Sequence, residues 1–375
     1  QTIQSDNYTP EIHEIGFSSP ARLGDPNVIS TYGPIDLHLR TGYIQQYSFN
    51  IQHQVKQWIV DIGYSGNTGK KLQRSRQLNA ALPGPGSIQP RRPYQAFYLA
   101  DGLQLANQFE LVSRVIPIGA AQMLENSASS NYNGLQLRVE RPYRNGFTVI
   151  GTYTWSKALT DAPSFRSVNA EPDTTLDPRN LRLEWGRMGW DIRHRGVAGF
   201  VYELPFGPGK RFFTANNWAS RVLGGWQVNG IWTLQTGTPF TINVSTDTAN
   251  IGSTNGSVNR GNAVLGQNAQ LPSDQRTTKR WFNTSAFTAP PAFTYGNAGR
   301  NTVTGPGLAT FDTSLTKNTR ITERINLQIR GEAFNLTNNP NLGTPNRSVD
   351  SPAFGSITSQ NGSARQFQIG AKVLF

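Results

Sequence analysis

The chain contains no cysteine, so disulfides, thiolate metal sites and cysteine nucleophiles are all excluded. It has no apolar run of about 18 residues, which excludes a transmembrane helix. Its four histidines, His13, His38, His53 and His194, never stand at His-x-x-x-His or His-x-His spacing, so they do not outline a metal site. There is no Gly-x-Ser-x-Gly elbow and no Walker-type phosphate loop. Nothing in the sequence points to an enzyme, a cofactor or a metal. Acidic residues are scarce, 23 against 35 Lys and Arg, for a net charge of +12. The basic residues are scattered singly or in short pairs such as Lys70-Lys71 and Arg91-Arg92. No basic helix, zinc knuckle or RNA-binding aromatic motif accompanies them, so nucleic acid is not an expected partner. An anionic lipid headgroup layer or a charged lumen fits better.

What the chain does have is pattern. It is rich in Asn, Gln, Ser and Thr, with 37 Gly and 23 Pro, and its hydrophobic content is only 36%. Yet it carries 8 Trp, 12 Tyr and 19 Phe, mostly inside alternating segments, so it is not disordered. In Asn131–Lys157, Leu135, Leu137 and Val139 alternate with Gln136, Arg138 and Glu140. Phe147, Val149, Tyr153 and Trp155 then alternate with Thr148, Thr152 and Thr154, Ile150 being the exception. Period-two alternation of this length means strands with one apolar and one polar face, and Asn145-Gly146 between the arms supplies a hairpin turn.

The same unit recurs. Tyr47, Phe49 and Ile51 answer Trp58, Val60, Ile62 and Tyr64; Ala198, Phe200, Tyr202 and Leu204 precede Trp226, Val228, Trp232 and Leu234. Phe311 and Leu315 precede Ile325, Leu327 and Ile329, and the chain ends on Phe367, Ile369, Ala371, Val373 and Phe375 on one face. About nine strands of about 9–14 residues result, long enough to cross a bilayer at a tilt. Between them lie long polar loops near 67–130, 158–189, 243–306 and 338–363, alternating with short turns. Residues 1–33 read as irregular loop, and 34–375 as one barrel unit. The reading is an all-β, antiparallel transmembrane β-barrel, lipid-facing outside and polar within. A soluble β-sandwich is disfavoured by the apolar stripes it would leave exposed. Bacterial single-chain barrels close with even strand numbers, so an odd count points to the C-terminal part of a larger barrel.

At these residues the chain resembles the Oar-like TonB-dependent outer-membrane receptors with a carboxypeptidase-regulatory-like N-terminal domain. The resemblance is carried by Tyr132-Asn133-Gly134-Leu135-Gln136, Gly146-Phe147-Thr148 and Tyr153-Thr154-Trp155-Ser156-Lys157. It continues through Asp177-Pro178-Arg179-Asn180, Asp191-Ile192-Arg193-His194-Arg195, Leu204-Pro205-Phe206-Gly207-Pro208-Gly209-Lys210 and Gly224-Gly225-Trp226-Gln227. It closes on Arg330-Gly331-Glu332-Ala333-Phe334-Asn335-Leu336 and Phe375. It covers roughly residue 40 to the end. It implies a barrel of about 22 strands around a plug, in the cell outer membrane, importing a ligand under the pull of the TonB complex. No signal peptide, regulatory domain, TonB box or plug occurs in this sequence, so contact with TonB would need a missing N-terminal region. The alternative is a structural or adhesive surface barrel or pore without energised transport.

Candidate functional residues follow. Loop 158–191 gathers Asp161, Glu171, Asp173, Asp177, Glu184 and Asp191 among Arg166, Arg179, Arg182, Arg187, Arg193 and Arg195. The spacing fits no calcium loop, and intra-loop salt bridges are expected instead. Trp185, Arg187 and Trp190 in the same loop are the candidate ligand-binding residues, since loops concentrate binding groups. His194 is expected to contact backbone or carboxylate. By resemblance, Phe367, Ile369, Ala371, Val373 and Phe375 form the signal read by the barrel-assembly machinery. Other expected partners are outer-membrane lipid, lipopolysaccharide and an unidentified ligand.

Overall fold

The computed structural model describes residues 30–33, 35–99, 114–162, 175–214, 218–252 and 259–375. Expectations that fall on 1–29, on 100–113, or on Arg166, Glu171 and Asp173 lie outside the described residues. The strands in chain order begin with β1 (Ser30–Tyr32), β2 (Tyr43–Val55), β3 (Trp58–Gln77) and β4 (Ala96–Leu99). Next come β5 (Arg114–Arg144), β6 (Phe147–Thr160), β7 (Gly186–Arg187), β8 (His194–Glu203) and β9 (Trp226–Gln235). After β10 (Pro239–Phe240), β11 (Asn262–Ala263), β12 (Phe287–Thr288) and β13 (Val303–Thr304), the chain closes on β14 (Leu308–Arg320), β15 (Asn326–Phe334) and β16 (Gln366–Leu374).

Nine of these strands make one antiparallel meander in the order β16-β15-β14-β9-β8-β6-β5-β3-β2. Every neighbour in this sheet is also the next long strand in the chain. Ile51, Ile62, Leu137, Tyr153, Gly196, Leu234 and Ala309 occupy successive cross-strand positions. One residue along, the partners are Gln52, Asp61, Arg138, Thr152, Val197, Thr233 and Thr310. The register therefore keeps the apolar residues on one face and most of the polar ones on the other, as the alternation requires. Ile150 sits on the polar face opposite Gly199. The polar face pairs its own charges: Arg138 with Glu140, and Arg330 with Glu332 at 3.3 Å, each two apart on one strand. Asn229 donates to Ser314 across strands at 3.1 Å.

Turns at the two ends differ. At one end β5 turns into β6 through Asn145 (φ 54°) and Gly146 (φ 78°), the left-handed pair that matches strand twist. The connections 56–57 and 321–325 at the same end are also short. The connection 204–225 there is longer and contains the six-residue helix α1 (Trp218–Leu223). The other end carries 78–113, 161–193, 236–307 and 335–365. Among the described residues β2 and β16 each pair on one side only, so the sheet is open at two long edges.

Several boundaries depart from expectation. Strand, not loop, occupies 67–77 and 114–130, because β3 and β5 remain paired out to Gln77 and Gln122. At 20 and 31 residues, these two far exceed the roughly 9–11 needed to cross a bilayer. Beyond the apolar band both faces lose their alternation while the backbone ladder continues, so the pattern fades where the strand does not. Residues 30–32 pair in parallel with β5 and are not irregular. Residues 35–42 lie ahead of β2.

The long polar loops are also not loose. Phe240, Ile242, Phe282, Ala286, Phe287, Ala298 and Val303 form a buried core, with Val349 and Phe354 packed against it. Phe282 is edge-on to Phe240, Phe287 and Phe354 at 5.7, 6.1 and 5.1 Å. Each such buried aromatic contributes roughly 1.5–3 kcal/mol, so segments 236–307 and 335–365 build a folded cap of their own.

Candidate functional site

The cap positions the candidate residues. The described residues of loop 161–193 are held by polar contacts. Glu184, fully buried, accepts from Leu176 N at 2.8 Å and from Arg260 Nη2 at 2.7 Å. Arg300 donates to the carbonyls of Thr160, Glu184 and Ala162 at 3.2, 3.0 and 3.0 Å. Asp191 accepts from Ala158 N at 2.7 Å. On the tall side of the wall, Arg179 donates to Ala80 O at 2.6 Å. A buried charge is tolerated only where it is paired and hydrogen-bonded, and these are. The acids of this loop do make salt bridges, but among the described residues only Asp177–Arg179 at 3.5 Å lies within it. Glu184 pairs instead with Arg260 from another connection, because folding and not sequence spacing brings those two together.

Arg187, in β7, is bound into this network. Its Nε donates to Asn301 O at 2.8 Å, its Nη1 to Thr304 Oγ1 at 3.0 Å, and its own carbonyl accepts from Asn301 Nδ2 at 2.7 Å. Burial holds its guanidinium below the ordinary arginine pKa, against the attraction of Asp191. Arg187 thus pins the loop to the cap. Trp185 and Trp190 flank β7 and remain 46% and 49% exposed. Two half-exposed indoles on a braced support offer flat apolar faces for stacking.

His194 opens β8. Its Nδ1 lies 2.7 Å from Tyr153 Oη, and the two rings stack at 6.1 Å. Its partner is a phenol, neither backbone nor carboxylate as expected; its own backbone N donates to Thr236 Oγ1 at 3.1 Å. Among the described residues no three His, Cys, Asp or Glu side chains converge on a metal-sized site. In β16, Phe367, Ile369, Ala371 and Val373 stand opposite Ala333, Gly331, Ile329 and Leu327 on the apolar face. Phe375 follows the strand end, fully exposed.

A second polar cluster escaped sequence reasoning. Arg74, 2% exposed, lies 3.7 Å from Glu125 and 3.3 Å from Asp161, and Arg76 lies 2.6 Å from Glu125. Asn79, fully buried, donates to the carbonyls of Tyr94, Ile118 and Gly119 at 2.8, 3.0 and 2.8 Å. Arg92 adds bonds to Asn79 O and Gly119 O, and burial lowers its pKa despite the nearby Asp247. Arg74, Arg76 and Glu125 lie in the extension of β3 and β5, and Asn79 and Arg92 in the connection after β3, where no apolar period marks them.

The chain spans about a third of the length of the solved structures it resembles. The outer membrane transporter YddB from Escherichia coli is 10% identical with a TM-score of 0.46; the match covers 92% of this chain and 34% of that one. The siderophore receptor PirA from Acinetobacter baumannii is 11% identical with a TM-score of 0.42, covering 90% and 32%. The FrpB iron transporter from Neisseria meningitidis (F3-3 variant) is 10% identical with a TM-score of 0.40, covering 91% and 33%. No curated protein matches the sequence. A family model described as an outer membrane beta barrel domain matches residues 2–368. With its two-faced antiparallel sheet, the chain belongs to that outer-membrane β-barrel family, and its place is the cell outer membrane.

Proposed function

We propose that this chain is the C-terminal barrel part of a TonB-dependent outer-membrane receptor of the Oar-like kind, which takes up a ligand. The observation that carries the reading is the open nine-strand wall. It has an apolar face for lipid, a polar face for a lumen and, among the described residues, unpaired edges at β2 and β16. Unpaired backbone is costly in a bilayer, so further strands completing a larger barrel account for both edges. The folded cap supports capture at the long-loop end, with Trp185 and Trp190 as the contact surface and Arg187 as the residue that holds them in place. Oligosaccharide, peptide and metal chelate are the ligand classes such a surface admits. TonB would act through a region upstream of this chain, and the barrel-assembly machinery would read β16.

Two measurements test this. The reading frame upstream of Gln1 should encode a plug, a TonB box and about a dozen more alternating strands. Cells carrying the gene should then accumulate a labelled member of one of those ligand classes, and lose that uptake when a protonophore removes the energy source. An upstream signal peptide ending at Gln1, or uptake indifferent to the protonophore, would replace transport with a passive pore or surface-structural role.

A further inference from the structure

The connection 204–225 is unlike the other connections at the short-turn end. It folds back on itself where Gly207 meets Gly224: a Cβ added at Gly224 would lie 2.9 Å from the Gly207 Cα. Phe206 packs against Phe212 and Phe213, with ring centroids 6.1 and 5.9 Å apart. The helix α1 closes the connection, and its C-terminal end is fastened to the wall. Lys317 Nζ donates to the carbonyls of Arg221, Val222 and Gly224 at 2.9, 2.9 and 2.7 Å. Trp226 Nε1 donates to Val222 O at 3.0 Å. The ammonium thereby satisfies helix-end carbonyls that have no partner within the helix.

Those contacts fix the side of the wall on which α1 lies. Trp226 and Lys317 are register partners, and Lys317 stands opposite Ile329 on the next strand. Their row belongs to the apolar face, next to the row of Val228 and Leu315. Membership of the outer-membrane barrel family puts that face in lipid, so α1 lies on the lipid side, beside the short turns. Ser220 of α1 is fully buried. At about 100° per residue, Trp218 and Val222 lie across the helix from it, and they are 79% and 55% exposed. Phe212 and Phe213 are half-exposed as well. The connection contains no acid, but it carries Lys210, Arg211 and Arg221. Lys210 pairs with Glu203 at 2.6 Å. Among the described residues neither Arg211 nor Arg221 makes a side-chain hydrogen bond or salt bridge; Arg211 rests over the Phe212 ring at 5.3 Å.

We propose that α1 and the Phe212-Phe213 pair form an interfacial foot seated in the periplasmic leaflet, where Arg211 and Arg221 hold the phosphate of an anionic phospholipid. The short turns of such barrels face the periplasm. A helix with an apolar face of this kind and arginine beside it lies in the plane of a lipid surface. Two observations select lipid over a protein partner. The foot continues the lipid-facing row of Trp226 and Lys317, and its unopposed positive charge matches a layer of anionic headgroups. The proposal does not depend on transport.

The test uses the full-length protein in vesicles of phosphatidylethanolamine and phosphatidylglycerol, in a background without other cysteines. A nitroxide at Trp218→Cys or Val222→Cys should collide with oxygen more than with a nickel chelate. A nitroxide at Leu265→Cys, on a fully exposed position of the cap, should show the reverse. Arg211→Gln and Arg221→Gln should each lower the phosphatidylglycerol that co-purifies with the protein by about fivefold. Arg324→Gln, at another turn of the same end, should leave it unchanged. Heat-modifiable mobility reports folding of each variant, and either label position alone suffices. Greater nickel than oxygen access at a folded, labelled α1 overturns the foot. Unchanged phosphatidylglycerol in both arginine variants, or an equal loss in Arg324→Gln, overturns the headgroup site. A label shielded from both reagents in native outer membranes, but not in vesicles, would give this face to a protein partner and overturn the lipid.

Discussion

Glu184 and Arg260 come from different connections, yet their side chains meet at 2.7 Å, with the carboxylate fully buried and the guanidinium 5% exposed. This pair ties the Trp-bearing loop to the hydrophobic cap. Removing the carboxylate takes a charged hydrogen bond from a buried guanidinium that keeps Leu183 O, at a cost of about 1.5–3 kcal/mol. Glu184→Ala should therefore expose loop 161–193 to limited proteolysis while the barrel strands stay resistant. Unaltered cleavage would show that the pair is not what fastens the loop.

Within that loop, the indoles and the guanidinium should behave differently. Trp185→Ala and Trp190→Ala remove half-exposed side chains and should change stability by no more than about 0.5 kcal/mol. If they contact ligand, each should weaken binding about tenfold or more. Arg187→Ala, which removes two hydrogen bonds to the cap, should cost about 2 kcal/mol. Titration of the bound ligand alongside thermal unfolding separates the two behaviours; equal loss of stability in all three variants contradicts it.

Among the described residues, the Tyr295 hydroxyl in the cap is buried beside Arg179 without a hydrogen bond of good geometry. Burial, helped by Asp177, pushes its pKa up to about 12, although Arg179 pulls the other way. The neutral phenol is favoured in the folded state, so its stabilising effect is complete below the unfolded pKa near 10. That effect is lost as pH rises from 10 toward 12, by at most about 3 kcal/mol. Tyr295→Phe should leave neutral-pH stability unchanged and flatten this alkaline decline. Melting temperatures at pH 7 and pH 11 check it, and a decline of the same size in the variant would refute it.

The terminal strand yields a fourth expectation. Phe367→Ser, and separately deletion of Phe375, should reduce the heat-modifiable fraction recovered in outer membranes by severalfold. Both residues lie outside the cap, so cap stability should be untouched. Wild-type recovery in both variants would reduce β16 to an ordinary paired strand.

The wall was legible in sequence because lipid on one side and lumen on the other impose a period of two. Leu135, Leu137 and Val139 could be placed without coordinates, as could Trp155 and the Phe367–Val373 face. The extension of β3 and β5 was hidden because the apolar period ends with the lipid band, while Arg74, Arg76 and Glu125 are satisfied by hydrogen bonds that leave no period behind. The cap was hidden for another reason. Phe240, Ile242, Phe282 and Val303 converge from distant points on nearly straightforward loop sequence, and only tertiary closure shows them to be a core. Glu184 was visible as an acid, but its partner Arg260 was not.

Each strand of the wall lies beside the strand that precedes it and the one that follows it in the chain. No strand must be threaded between two that are already paired. The wall can therefore be zipped together one hairpin at a time from either margin, and a hairpin could be added or removed there without shifting any other register. Such an arrangement lets a folding route and a change in barrel circumference follow the same linear order, that of the polypeptide itself.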